Sequence, residues 1–539
     1  MRPSSWESKV QAKQAAAATK IPAQWRLPSH ILDQLGQDPS GSVLDIPQRC
    51  GLLSDRELQI TETLDATALL QKLADREYSA VEVTTAFCKR AAIAQQLTSC
   101  LTETFFDRSL KRAQELDEYF AKTGQLIGPL HGLPISLKDS FNVAEVPTSI
   151  GFVSFLDHPV PSTNSALVDV ILAAGAVLYV KTNVPQTMMT GDSHNNIFGR
   201  VQNPHRRNLT AGGSSGGEGA LVALRGSLLG VGTDIAGSIR IPALCCGIIG
   251  FKPTAGRIPF GGQANPGRAG LAGILPSAGP LCHSTRDAEL FFRTVLRTSL
   301  NVNIDDDILG FPWVEPKLQP VLTIGVLKED PRYPLHPPMR RSIEAAAVAL
   351  EAAGHRLVDL ADKVPSLADS MGVALRYFQM DPERTPLQNI ENSGEPPIPS
   401  LRFIYDLEKA DPEPTLRELY ELNVRRLGIA GHMRRAFQQN CLDVILSVGY
   451  QSCAVPHDTY EPPLYTLMWN LVDYPACIIP FNKADEAMDL GMVRSVEYIP
   501  QYHPKFVQDA PCHIQLIGQR FRDEALLKCA QVVERILRQ

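Results

Sequence analysis

The chain reads as an α/β protein, a central β-sheet with helices on its faces. Three observations predict this. Apolar residues recur at helical spacing, as at Leu69, Leu70 and Leu73, at Phe105, Leu110, Ala113 and Leu116, and at Leu167, Val170, Ile171 and Ala174. Short continuous apolar runs such as Ala176–Val180 have the character of buried strands. The two patterns alternate, as where a helix over 338–353 leads into a strand over 355–360, and such alternation lays helices over a sheet.

Residues 1–60 read as a helical and irregular lead-in, with 10–21 favouring helix. Residues 61–539 read as the main domain. Its first part, 61–122, is helical by spacing. The segment from Pro129 to Asp139 ends in apolar–polar alternation and reads as a short strand carrying Lys138. Thr163 and Asn164 can cap the following helix, and Gly175 can end it. Residues 228–231 form another apolar stretch. Region 301–440 is richer in proline and charge, and reads as an elaboration over the site. Segments 442–447 and 476–481 read as strands returning to the core. No repeat or interdomain linker is evident.

The 539 residues exceed the ~250–300 that one core usually serves, so more than one lobe is expected. The formal net charge of −6 gives no basic surface for a nucleic-acid partner. Eleven cysteines without a C-x-x-C pair read as reduced thiols, and no paired-cysteine or H-E-x-x-H spacing suggests zinc. No apolar run reaches the ~18 residues of a membrane span, and the N-terminus has no apolar leader. The expectation is a soluble, cytoplasmic protein.

The chemistry concentrates in two glycine-rich turns, Gly-Gly-Ser-Ser-Gly-Gly over 212–217 and Gly-Thr-Asp-Ile-Ala-Gly-Ser-Ile-Arg over 232–240. They place Ser214 and Ser238 at 24 residues' separation, each before a segment that can start a helix. Glycine lets the backbone approach another group closely, and a helix start offers unpaired N–H groups. That suits a serine that attacks a carbonyl and stabilises an oxyanion. The run's six residues and the helix-compatible sequence that follows at once argue against a flexible linker. A phosphate loop would need Lys-Ser/Thr. A G-x-S-x-G elbow would need a buried strand just before it, whereas 205–210 is polar. Such a serine needs a base. His131, His194 and His205 lie near in sequence, and Lys138 is the other option. A lysine must be neutral to act, which burial can achieve; composition alone would put Lys138 at the surface end of its strand. Strand alternation would turn Asp139 away from it. Asp234 and Arg240 read as a structural ion pair fixing the second turn. Cys245 and Cys246 read as buried small hydrophobes.

Together, these residues resemble the amidase signature family of serine hydrolases. The resemblance rests on 131–139, 181–185, Asn203–Pro204, Ala211 through Pro253, 469–475 (Trp-Asn-Leu-Val-Asp-Tyr-Pro) and 513–518 (His-Ile-Gln-Leu-Ile-Gly). Segments 20–27 and 469–475 are similar to the fungal acetamidase-type branch. The resemblance implies a mixed central sheet covered by helices on both faces. It also implies hydrolysis of a small-molecule carboxylic amide to carboxylate and ammonia or amine through an acyl-enzyme. Ser238 would be the nucleophile, Ser214 the bridging serine with a cis peptide bond, and Lys138 the base. Backbone N–H groups of Ile235, Ala236, Gly237 and Ser238 would form the oxyanion hole, with Ala236 departing from the glycine usual there. Met188 would line the substrate channel. No metal or cofactor is implied, because lysine and serines supply every proton transfer. A biosynthetic amide-processing enzyme or acyltransferase on the same scaffold is the alternative, and a homodimer is open because family members often pair.

Overall fold

A computed structural model describes residues 6–271, 273–299, 305–405, 407 and 413–539 of the chain. Thirteen strands are β1 (Leu101–Thr104), β2 (Pro134–Lys138), β3 (Val177–Thr182), β4 (His194–Asn195), β5 (Gly199–Arg200), β6 (Leu229–Asp234), β7 (Ile249–Lys252), β8 (Ser277–Cys282), β9 (Thr323–Val326), β10 (Arg356–Asp359), β11 (Val444–Ser447), β12 (Ala476–Lys483) and β13 (Pro511–Ile517). Eleven of them form one sheet in the order β1-β3-β2-β6-β8-β7-β12-β13-β11-β9-β10, and β4 and β5 form a separate hairpin. The sheet is mixed. β3, β2 and β6 run parallel to one another, as do β11, β9 and β10; the strands between these groups pair antiparallel. Helices cover both faces, as predicted, and β2, β3 and β6 are buried at every position; two-sided burial is why β3 and the start of β6 read as apolar stretches, whereas β2 alternates because it carries Ser136 and Lys138.

The length predicts more than one lobe, but the single sheet draws strands from both halves of the chain. Region 301–440 contributes β9 and β10 to one end of that sheet, with the helix Pro337–Ala352, and residues such as Phe378, Asp381, Arg384, Tyr405 and Pro414 line the cavity described below. Residues 301–304, 406 and 408–412 of this region lie outside the described residues. The lead-in holds helices Trp6–Thr19, Ser29–Gln37 and Ile46–Arg49.

Two local expectations change. The helical stretch 61–122 is interrupted by β1, whose four residues are too few to show a period. The helix expected from Thr163 or Asn164 begins at Ala166 instead, after Ser165. Asn164 is occupied elsewhere: its Oδ1 accepts the Ala144 N–H at 2.8 Å and its Nδ2 donates to Asp169 at 2.7 Å. All eleven cysteines are free thiols, ten of them buried. No helix among the described residues is long and apolar enough to cross a membrane.

Candidate active site

β2 and β6 are parallel neighbours, with Leu137 opposite Val231, so their C-terminal ends open at the same edge of the sheet. Lys138 closes β2 and Thr233–Asp234 closes β6. Lys138 is only 1 % exposed. Its Nζ lies 2.7 Å from Ser214 Oγ and 2.8 Å from Thr233 Oγ1, with no carboxylate in contact among the described residues. Burial pushes the amine down to about 7, against the pull of the Asp234 carboxylate. A buried ammonium has lost its hydration, so the neutral form gains. Asp139 points away, as strand alternation requires: it pairs with Lys181 at 3.1 Å and accepts from Thr102 and the Ile150 N–H. Asp139 stays below its ordinary range; burial works against this, and Lys181 prevails.

Ser214 follows a cis peptide bond from Gly213, and the helix Gly216–Ala223 starts two residues later. Ser215 lies just beyond; its N–H donates to the Ser238 carbonyl at 3.1 Å, tying the two serine turns together. Lys138, Ser214, Thr233 and Ser238 all line one cavity of about 710 Å³. Met188, Met189, Ile235, Phe260, Ile274 and Phe378 supply much of its apolar wall. Its size falls within the ~300–1,000 Å³ of pockets for drug-sized ligands. Ser238 and Ala236 also border a second, small cavity of about 20 Å³ with Tyr460 and Glu461.

The turn presenting Ser238 is held from within. Buried Asp234 accepts the N–H groups of Gly237 at 2.8 Å and Ile239 at 3.2 Å, and pairs with Arg240 Nη2 at 3.0 Å. Arg240 also donates to the Asn470 and Gln515 side chains and to the Thr466 carbonyl. Asn470 and Gln515 come from the two C-terminal motifs, so those motifs clamp the nucleophile turn. The ion pair read from the sequence is therefore present, and Arg240 keeps Asp234 down at about 2 despite its burial. Gly237 has φ +132°, and a Cβ there would stand 2.3 Å from Thr466 Oγ1. One expectation for the oxyanion set needs revising here. The Gly237 N–H is already donated to Asp234, whereas those of Ile235, Ala236 and Ser238 meet no acceptor among the described residues.

The histidines are not brought to the serines. His131 Nδ1 accepts the Ile127 N–H, His194 contacts Arg200, and His205 contacts the Cys246 carbonyl; none lines the cavity. Cys245 and Cys246 are buried, and burial raises both thiols. Sequence reasoning missed Thr233, the second partner of Lys138. Its place inside the Gly-Thr-Asp run beside the nucleophile turn was the available signal. It also missed the distant Asn470 and Gln515, which only the fold brings to the turn.

A family model described as Amidase matches residues 82–527. An amidase from Gibberella moniliformis is 38% identical over 98% of both chains. An acetamidase from Emericella nidulans is 36% identical over 99% of both. Among solved structures, a fatty acid amide hydrolase superposes with a TM-score of 0.93 at 31% identity, over 99% of this chain and 95% of that one. With its mixed sheet, its two serine turns and matches of this extent, the chain belongs to the amidase signature family and is an amide hydrolase.

Proposed function

We propose that the enzyme cleaves carboxylic amides through a Ser238–Ser214–Lys138 relay and an acyl-enzyme. Neutral Lys138 accepts the Ser214 proton while Ser214 accepts that of Ser238. The Ser238 oxygen attacks the amide carbon, and the developing oxyanion is met by the N–H groups of Ile235, Ala236 and Ser238, with Gly237 shaping the turn. Donors fixed before reaction, in a site shielded from water, stabilise such charge strongly. The protons return along the relay to the leaving nitrogen as the C–N bond breaks, giving ammonia or an amine. Water then attacks the ester, with Lys138 again the acceptor, and releases the carboxylate.

The observation that carries this reading is the 2.7 Å contact between the buried Lys138 amine and Ser214, beside Ser238 in one cavity. Apolar walls and a volume of about 710 Å³ support an acyl group larger than acetyl, running toward Phe260 and Phe378. Lysine and serines supply every proton transfer, so the relay calls for no metal or cofactor. The test is a fluorophosphonate probe followed by peptide mass spectrometry. Modification at Ser238 supports the reading, and an unmodified Ser238 in active enzyme overturns it. Turnover with hydroxylamine present separates hydrolysis from acyl transfer, since an acyl-transfer enzyme would form hydroxamate as its main product.

A further inference from the structure

Glu218 is a fully buried carboxyl for which the relay has no use. It stands on the helix Gly216–Ala223, four residues after Ser214. Its Oε2 lies 2.6 Å from Ser136 Oγ and its Oε1 2.8 Å from Thr182 Oγ1. Ser136 and Lys138 are two apart on β2 and share one face of that strand. That face therefore carries two rungs to a single short segment, Lys138 to Ser214 and Ser136 to Glu218. Across the sheet, Ser136 is opposite Gly230 of β6. A Cβ at 230 would come 1.9 Å from Glu218 Oε2, so the carboxyl fills a space that only glycine leaves. Glu218 makes no ion pair among the described residues; hydroxyls are its side-chain partners.

We propose that Glu218 is a positioning residue, a neutral carboxylic acid that docks the Ser214-bearing segment onto β2 and sets the Lys138–Ser214 spacing. A carboxylate without an ion-pair partner or water is strongly disfavoured; the protonated group keeps both hydroxyl contacts by accepting from one and donating to the other. Burial accordingly raises Glu218 to about 8. The titratable groups facing it are Lys138 from β2, Tyr179 from β3 and Cys100 before β1; Lys138 is faced in turn by Asp234. A carboxylate at 218 would hold Lys138 in its charged form. The neutral acid gives the same mechanical clamp without charging the base.

This inference rests on the relay reading for its kinetic consequence, and its protonation state can be tested apart from it. In the infrared difference spectrum of wild type minus Glu218→Gln at neutral pH, a protonated-carboxyl C=O band is expected; its absence overturns the assignment. The second readout is the rate at which a fluorophosphonate probe labels Ser238 across pH. Glu218→Gln, whose amide can accept from one hydroxyl and donate to the other, is expected to keep the wild-type acid limb. A downward move of that limb by about half a unit or more indicates a lost carboxylate charge and overturns the proposal. Glu218→Ala is expected to label about tenfold more slowly than Glu218→Gln, because small displacements of relay groups are costly; equal rates within about threefold overturn it. If Glu218→Ala does not fold, Ser136→Ala takes its place on the same criterion. Lys138→Ala, labelled alongside, isolates failure of the relay: wild-type labelling in that variant sinks the relay and leaves the infrared result standing.

Discussion

Asp234 and Arg240 are a fully buried pair, 3.0 Å apart, that spans the turn presenting Ser238. Asp234 also accepts the N–H groups of Gly237 and Ile239, so a single carboxylate shapes the backbone on both sides of the nucleophile. Removing it leaves a guanidinium buried without its counter-charge. Asp234→Ala is expected to destabilise the enzyme by about 3–5 kcal/mol and to lower activity in the fraction that folds. Denaturant titration with activity measured in parallel checks this; an unchanged midpoint would remove the clamp from the mechanism.

Gly237 tests the turn from the other side. Its positive φ leaves no easy place for a side chain, and a Cβ at this position would stand 2.3 Å from Thr466 Oγ1. Gly237→Ala should shift the turn, misalign the Ser238 N–H and cost roughly 10²-fold in kcat, the scale of one lost oxyanion donor. The comparison is kcat for purified Gly237→Ala and wild type with matched circular dichroism.

Ser238→Ala should abolish turnover and fluorophosphonate labelling together, because it removes the hydroxyl that the relay delivers to the amide carbon. Intact-protein mass after probe treatment reads both wild type and variant.

Met188 tests the acyl assignment of the large cavity. Met188→Trp fills space along the apolar wall, so KM should rise by about tenfold for a long-chain primary amide such as decanamide and change little for a short one, each methylene in an apolar pocket being worth ~1–3 kcal/mol. A panel of straight-chain amides gives the ratio directly, and a uniform effect on all chain lengths counts against a channel along Met188.

Much of the fold could be read from local pattern. β3 begins as a continuous apolar run, β2 shows apolar–polar alternation, the apolar stretch 228–231 marks the start of β6, and the helix at 338–353 kept its period, so each was visible within a few residues. What could not be read is β8, whose Ser-Ala-Gly-Pro-Leu-Cys looks like a loop yet is buried at all six positions; only pairing with β6 and β7 makes it a strand. The site divides in the same way. Ser214 and Ser238 announce themselves by their glycines. Lys138 does not, because its burial comes from the layers packed over β2. The competition for the Gly237 N–H was equally hidden, since it depends on how Asp234 folds back under its own turn.

The most direct measurement follows Ser238 acylation against pH in wild type and Lys138→Ala. Lys138 has its amine lowered to about 7, so the neutral base is present above that pH and lost below it. Wild-type acylation should therefore rise through about pH 7 to a plateau, and Lys138→Ala should retain only a weak, more alkaline residue of activity without that limb. An acid limb near 7 that persists undiminished in Lys138→Ala would contradict the lysine relay.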